Sequence, residues 1–337
     1  MKSKETYVVL SLTFFLTLIG CVSNTNQSHQ HTDNTPDSVA AENTSSLETS
    51  SSSQQPYLSF KDDAGQEVVL IKKPERVVIL NTEALDLYYQ LGGIAVGKAK
   101  APGTPVPEAA KAVEDVGQIN QVSLEKITSL KPDLVIGHPR FHANLKDALD
   151  ASHIPIALVN VNSYDHIQRT GRLFGQIIGK GSETEKALKE MDNHIQTMIN
   201  NVPSTSPKFA LITIASTGLS IQKSGSLALD IADKLKLKNV AEGMQSGQMP
   251  SSVPYSIEKL IEADPDYLFM IVYGTEEYGR QKLKDDLESN PAWASLQAVK
   301  GKRVEFLPSD FVNSPGLKID QIFEYLAKVV YPDVYGK

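Results

Sequence analysis

Residues 123–137 read SLEKITSLKPDLVIG, and residues 256–270 read SIEKLIEADPDYLFM. The two stretches run in step. Glu258 follows Glu125 by 133 positions, and the same offset joins Ser123 to Ser256, Lys126 to Lys259, Pro132 to Pro265 and Asp133 to Asp266. In each copy an amphipathic helical stretch is followed by Pro-Asp and then by a short apolar run, DLVIG (133–137) or DYLFMIV (266–272). Such runs suit strands buried on both faces of a parallel sheet. A chain that states one helix–strand unit twice predicts two similar α/β lobes.

The pattern around each copy agrees. On the N-terminal side, LSFKDDAGQEVVLIK (58–72) alternates about a turn at Asp63-Ala64-Gly65 and predicts a hairpin. RVVIL (76–80), IAVGKA (94–99) and PIALVNV (155–161) predict strands, with helices at TEALDLYYQLG (82–92) and ANLKDALDAS (143–152). On the C-terminal side, KFALITI (208–214) and RVEFLP (303–308) predict strands, LSIQKSG (219–225) a small hairpin, and LALDIADKLKL, TEEYGRQKLKDDLES and KIDQIFEYLAKVV helices. Strands separated by helices make a sheet covered on both faces.

Between the halves lie a helix at 165–179 and a longer one at 182–202. Leu188, Met191, Ile195 and Met198 form its apolar stripe, and Ser182 with Glu185 matches a capping box. About twenty residues at ~1.5 Å each give a rod of roughly 30 Å. The expected fold is therefore α/β: two Rossmann-like lobes with mainly parallel sheets, residues 57–164 and 204–337, joined through 165–203 by a single long helix, with a ligand cleft between them.

The N-terminus has another character. Lys2 and Lys4 precede the apolar run YVVLSLTFFLTLIG (7–20), which is short for a membrane span and has the layout of a secretory signal peptide over residues 1–20. Leu18-Ile19-Gly20-Cys21 resembles the lipobox of bacterial lipoproteins, in which the cysteine is acylated and becomes the mature N-terminus. Cys21 is the only cysteine, so no internal disulfide is available to it. Residues 22–56 are dominated by Ser, Thr, Asn and Gln, bury little and predict a disordered tether carrying His29 and His31 as solvated residues. The expected location is the extracytoplasmic face of the cell membrane, held there by lipid. A net charge of −7 without a basic tract argues against nucleic acid.

PERVVIL (74–80), VSLEKITSLKPDLVIG (122–137), the helix at 182–202, YSIEKLIEADPDYLFM (255–270) and WASLQAVKGKRVEFLP (293–308), in this order behind a lipobox, resemble one family. It is the substrate-binding proteins of ABC importers for ferric siderophores, haem and cobalamin, whose two lobes are joined by one rigid helix. The resemblance covers nearly the whole mature body. It implies a monomer that captures an Fe(III) chelate and delivers it to a permease dimer with its ATPase, with no catalysis and no resident cofactor or metal. It also gives the repeat a purpose. Family members expose one glutamate at this place in each lobe, and each docks on basic residues of one permease half; Glu125 and Glu258 match. The plainer reading of either residue is a solvated acid in a helix's first turn.

In open α/β sheets ligands lie at the carboxyl ends of strands. That rule selects Asn81, Thr82 and Glu83; Lys100; His138, Arg140, Phe141 and His142; and Asn162, Ser163 and Tyr164 in the first lobe. In the second it selects Ser216 and Thr217, Lys223, Tyr273, Arg280, Asp310 and Phe311. The expected ligand set is Asn81, Glu83, Lys100, His138, Arg140, Phe141, Tyr164, Ser216, Lys223, Tyr273, Arg280 and Asp310, with Arg140, Tyr164, Tyr273 and Arg280 foremost. Arg and Lys suit the oxygens of an anionic chelate, and aromatics cover its apolar flanks.

Other readings compete. A bare metal ion needs three or four converging ligands; His138 and His142 have no matching set in the second lobe, and His153, His166 and His194 are scattered. Haem needs an axial Tyr, His or Met; VGQINQVS (116–123), where the resemblance would place one, has none, although Tyr164, Tyr273, His138 or Met249 remain available. Cobalamin favours aromatic clefts, and Trp293 reads as core. A chelatase-like enzyme shares the helix-linked architecture, but no G-x-S-x-G, P-loop or G-x-G-x-x-G occurs. A surface adhesin would not require matched acids in two lobes.

Overall fold

The structure, a computed structural model, describes residues 55–102, 104–313 and 315–336. The signal peptide, Cys21 and nearly all of the tether lie outside the described residues. Among the described residues no helix is long and apolar enough to cross a membrane.

The first part of the body opens with the antiparallel hairpin β1 (Leu58–Lys61) and β2 (Glu67–Leu70). β3 (Val77–Ile79), α1 (Thr82–Gln90), β4 (Ala95–Lys100), β5 (Glu114–Gln118), β6 (Gln121–Val122), α2 (Leu124–Ser129), β7 (Leu134–Gly137), α3 (Pro139–His142), α4 (Lys146–Asp150) and β8 (Ile156–Leu158) follow. The sheet runs β6-β5-β4-β3-β7-β8 and is parallel except at the β5–β6 turn. Alternate residues face opposite ways, as a pleated strand requires. Val77, Ile79, Leu134 and Ile136 pack toward the interlobe helices, while Val78, Leu80 and Val135 pack on Ile127 and Leu149 of α2 and α4.

α5 (Tyr164–Ile177) and α6 (Gly181–Asn200) stand between the two sheets in the chain. They pack closely because α5 presents Gly171 and Gly175 to α6; a Cβ on Gly175 would lie 2.4 Å from Thr184 Oγ1. The expected rod is present, but its capping box is not. The helix starts at Gly181, so Ser182 is already inside it, and Glu185 pairs with Arg172 Nε at 3.0 Å instead. Gly179, at φ +73, turns the chain sharply enough to start the helix early.

The second part contains β9 (Lys208–Ala215), β10 (Gly218–Gln222), α7 (Leu227–Lys234), β11 (Lys238–Asn239), β12 (Ser252–Pro254), α8 (Ile257–Ala263), β13 (Tyr267–Val272), α9 (Glu276–Lys282), α10 (Gln297–Lys300), β14 (Val304–Phe306), α11 (Asp310–Asn313), α12 (Ile319–Val330) and α13 (Pro332–Tyr335). The sheet order is β12-β10-β9-β13-β14, with β11 parallel to β9. β9, β13 and β14 are parallel, and β10 is antiparallel to both neighbours. Phe209, Leu211, Phe269 and Ile271 join the same apolar cluster as Val77 and Ile79 through α6 and α12, so one core runs through both lobes. Trp293 is core, as expected, packed with Leu260 and Met270 on the far face of the second sheet.

The repeat is structural as well as sequential. Ser123 and Ser256 each cap their helix on the backbone N–H of the lysine three residues on, both at 3.2 Å. Each helix closes on a left-handed residue, Lys131 at φ +47 and Asp264 at φ +41. Arg76 Nη2 then donates to the Leu130 carbonyl at 2.7 Å, and Lys208 Nζ donates to the Ala263 carbonyl at 2.7 Å. β7 pairs with β3 as β13 pairs with β9.

Candidate functional site

The carboxyl ends of β3 and β7 meet those of β9 and β13, with the antiparallel β10 alongside, across two adjoining hollows. The larger, about 410 Å³, is bordered by Arg140, Thr213, Thr217, Met249 and Tyr273. The smaller, about 80 Å³, is bordered by Glu83, Asn162, Gln222, Tyr273 and Phe311. Gln222 and Tyr273 border both. A groove of about 830 Å³ opens beside them around α7, lined by Asp230, Lys236, Lys238 and Glu242. Its size is greater, but its walls come mostly from one lobe and from residues of alternating charge, so it is not where the strand ends converge.

On the N-terminal wall, Glu83 occupies the first turn of α1. The helix dipole favours a carboxylate there, yet burial dominates and pushes its pKa up to about 7. Its side chain has no hydrogen-bond or ion-pair partner among the described residues. Arg140 stands at the rim. Its guanidinium lies 5.6 Å from the Phe141 ring centre, and Nη2 reaches 3.8 Å from Met249 Sδ on the opposite wall. Phe141 is 38% exposed and leans on the His138 ring.

His138 serves the backbone rather than a metal. Its Nδ1 accepts the Arg140 N–H at 3.0 Å and caps α3. Its own N–H donates to His142 Nδ1 at 2.9 Å, which leaves the His142 proton on Nε2, donated to the Ile119 carbonyl at 2.7 Å. His142 is fully buried, and burial pushes its pKa down to about 4. Among the described residues no group of three or more His, Cys, Asp or Glu could hold a metal ion.

On the C-terminal wall, Tyr273 is 52% exposed at the end of β13. Its hydroxyl pKa is raised by burial of the oxygen and by the Glu83 carboxyl opposite. Gln222 donates through Nε2 to Thr213 Oγ1 at 2.9 Å.

Several expected ligand residues are placed elsewhere. Asn81 is fully buried: Oδ1 accepts the Glu83 N–H at 3.1 Å and Nδ2 donates to the Val159 carbonyl at 2.7 Å, so it builds the turn into α1. Tyr164 is 4% exposed because it begins α5 facing the core; its ring meets Phe323 edge-on and its hydroxyl donates to Asp192. Lys100 pairs with Asp115. Lys223 turns its ammonium to the Met244 carbonyl at 2.7 Å, since the following chain, 244–246, folds over it. Arg280 is held by Glu276 at 2.6 Å and by the Phe306 ring at 4.7 Å, one helical turn down α9 from the cleft. Ser216 is exposed at the β9–β10 turn, although its neighbours Ala215 and Thr217 border the larger hollow. Asp310 is exposed at the start of α11, where its charge adds to burial, the larger cause, in raising the pKa of Asp86.

Sequence reasoning missed Thr213 and Gln222. Both sit on strands beside apolar neighbours, and the alternation of Leu219, Ser220, Ile221 and Gln222 was the available signal.

Glu125 and Glu258 are exposed on α2 and α8. The Glu125 carboxylate has no ion pair among the described residues. Glu258 accepts from Ser256 Oγ at 2.8 Å, and this bond together with its own backbone N–H holds its pKa below the usual carboxylate value.

Comparison with known proteins places this architecture. The uncharacterised ABC transporter substrate-binding lipoprotein YvrC of Bacillus subtilis is 26% identical over 288 residues, which span 82% of this chain and 87% of that protein. The Fe(3+)-citrate-binding protein YfmC of the same organism is 27% identical over 270 residues, 78% and 82% of the two chains. The structure of Staphylococcus aureus SirA with staphyloferrin B superposes with a TM-score of 0.65 at 23% identity, covering 81% of this chain and 98% of that one. A family model described as periplasmic binding protein matches residues 77–311, from β3 of the first lobe to α11 past the last strand of the second. The chain thus belongs to the periplasmic binding protein family, with the two-lobed α/β fold of its substrate-binding members.

Proposed function

We propose that this protein is the lipid-anchored, extracytoplasmic binding component of an ABC importer and that its cargo is a ferric siderophore. The observation that carries the reading is the interlobe cleft itself. Two hollows, walled by strand ends of both lobes, offer a guanidinium without an ion pair among the described residues, an aromatic rim and a row of hydroxyl and amide groups. Clefts of this size and mixed lining suit a compact chelate. No catalytic step is assigned to it.

Docking on the permease falls to Glu125 and Glu258. Both are exposed at matching positions of helices capped and seated in the same way, so the protein offers two equivalent acids to a partner with two equivalent halves. Rim charges of this kind steer encounter and fix register. Anchoring falls to Cys21, and Cys21→Ser would abolish incorporation of labelled fatty acid.

The test of cargo is a titration of the purified soluble body with ferric hydroxamates, ferric catecholates, ferric citrate, haem and cobalamin, followed by quenching of Trp293 and tyrosine fluorescence. Tight binding of an iron chelate without turnover supports the reading. Binding of haem or cobalamin alone, chemical turnover, or binding of none would overturn it.

A further inference from the structure

The smaller hollow brings together three side-chain acceptors, Glu83, Asn162 and Gln222, beside the Tyr273 hydroxyl. Glu83 brings a carboxyl group with no partner among the described residues. Asn162 Oδ1 and Gln222 Oε1 are shielded from solvent and likewise find no donor. The orientation of Asn162 is set by chemistry: its Nδ2 donates to the Gly225 carbonyl at 3.3 Å, a group that can only accept. Buried acceptors without donors are costly, and two of them, Asn162 Oδ1 and Gln222 Oε1, border one space of about 80 Å³ together with the Glu83 carboxyl group. Water has donors to give, but only a cation also favours the ionised form of Glu83.

The wider cleft has little positive charge to offer. Lys100 is matched by Asp115 and Arg280 by Glu276, and the Lys223 ammonium is turned onto a backbone carbonyl. Arg140, at the rim, has no ion pair among the described residues, and Glu83 brings an acid to the same cleft. A tricatecholate complex of ferric iron is triply negative and would set that charge against Glu83. In a trihydroxamate complex the three ligand charges balance the metal.

We propose that the smaller hollow is a subsite for a protonated amine of the ligand, bound by Glu83, Asn162 and Gln222, and hence that the cargo is a ferric chelate without net negative charge that carries a pendant ammonium group. The proposal rests on the siderophore reading above and narrows it. Glu83 determines specificity: its carboxylate receives the ammonium, and the two amide oxygens complete the donor's hydrogen bonds. The raised pKa of Glu83, caused by burial, accords with a carboxyl whose ionised form gains from a cationic partner.

The test compares ferrioxamine B, a linear trihydroxamate with a pendant ammonium, with its N-acetylated form, in which a neutral acetamide replaces that ammonium. Ferric enterobactin serves as the anionic tricatecholate. The expected result is that acetylation weakens binding about tenfold or more, that the tricatecholate binds more weakly still, and that Glu83→Gln removes the difference between the two hydroxamates. Equal affinities for the two hydroxamates, tighter binding of the tricatecholate, or a preference that survives Glu83→Gln would overturn the subsite and leave the siderophore reading in place. Failure of every chelate to bind would overturn that reading as well. The wild-type comparison of the two hydroxamates decides the matter even if the variant does not fold.

Discussion

Asp133 and Asp266 perform the same task in the two lobes. Asp133 Oδ1 accepts the Arg76 N–H at 2.8 Å where β3 begins, and Asp266 Oδ2 accepts the Lys208 N–H at 2.8 Å where β9 begins. Each carboxylate thus ties the strand it precedes to the neighbouring strand. Backbone hydrogen bonds to a charged acceptor are worth about 1.5–3 kcal/mol. Asp133→Ala and Asp266→Ala should each lower the unfolding free energy by about that amount in urea titrations, with Asp→Asn losing less. A loss in one lobe only would show that the equivalence of the two sites is not energetic.

Glu125 and Glu258 are surface residues and should behave differently. Glu125→Ala and Glu258→Ala should leave ligand affinity and stability nearly unchanged. Each should reduce uptake in cells about three- to tenfold, and the double variant more, with the deficit sensitive to ionic strength. Normal uptake by the double variant would remove docking from their role.

The pH behaviour of Glu83 follows from its raised pKa. Its folded-state value, about 7, exceeds the ordinary 4.5. The folded state therefore holds the proton more tightly, and the associated stability is present below pH 4.5 and lost as pH rises through 7. Above that, the wild type carries a buried unpaired charge. Glu83→Gln should be more stable than the wild type at pH 8 by about 1–3 kcal/mol and should match it near pH 4. Equal stability at pH 8 would show that the carboxylate is not desolvated. A residue whose removal stabilises the empty protein is one retained for binding.

His142 slopes the other way. Its folded value, about 4, lies below the ordinary 6.5, so the unfolded chain takes up a proton first as pH falls. Stability is retained above pH 6.5 and declines toward pH 4, by up to about 3 kcal/mol. Because the Glu83 and His142 windows overlap, the clean measurement is an NMR titration of the His142 ring, with Nε2 protonated and Nδ1 bare throughout the neutral range. A midpoint near 6.5 would contradict its burial.

Tyr164 separates core from cleft. Tyr164→Phe loses the hydrogen bond to Asp192 and should cost about 1 kcal/mol of stability, while ligand affinity stays the same. A large loss of affinity would return it to the binding wall.

The lobes were legible because their signals are local. Buried parallel strands read as apolar runs, and α6 reads as a stripe at helical spacing, whatever surrounds them. The duplicated SLEKITSLKPDLVIG needed no structure to be found, and Glu125 and Glu258 follow from it directly. The boundary at Ser182 was misread because the capping-box pattern is also local, but a glycine turn next to it set the start of the helix.

The cleft was legible only in part. The rule that strand ends face the ligand selected Glu83, Arg140 and Tyr273 along with Asn81 and Tyr164, and position after a strand cannot separate them. What separates them is partnership. Asn81 and Tyr164 satisfy their polar atoms inside the first lobe and the linking helices, whereas Glu83 of the first lobe and Gln222 of the second border one hollow only in the folded chain. The sequence by itself determined two lobes, a rod between them and a pair of matched acids, because periodicity and repetition are properties of the chain. Which side chains are spent on the fold and which are left without partners was decided by tertiary structure, because a hydrogen bond such as Asn81 to Val159, 78 residues apart, has no signature in either segment alone.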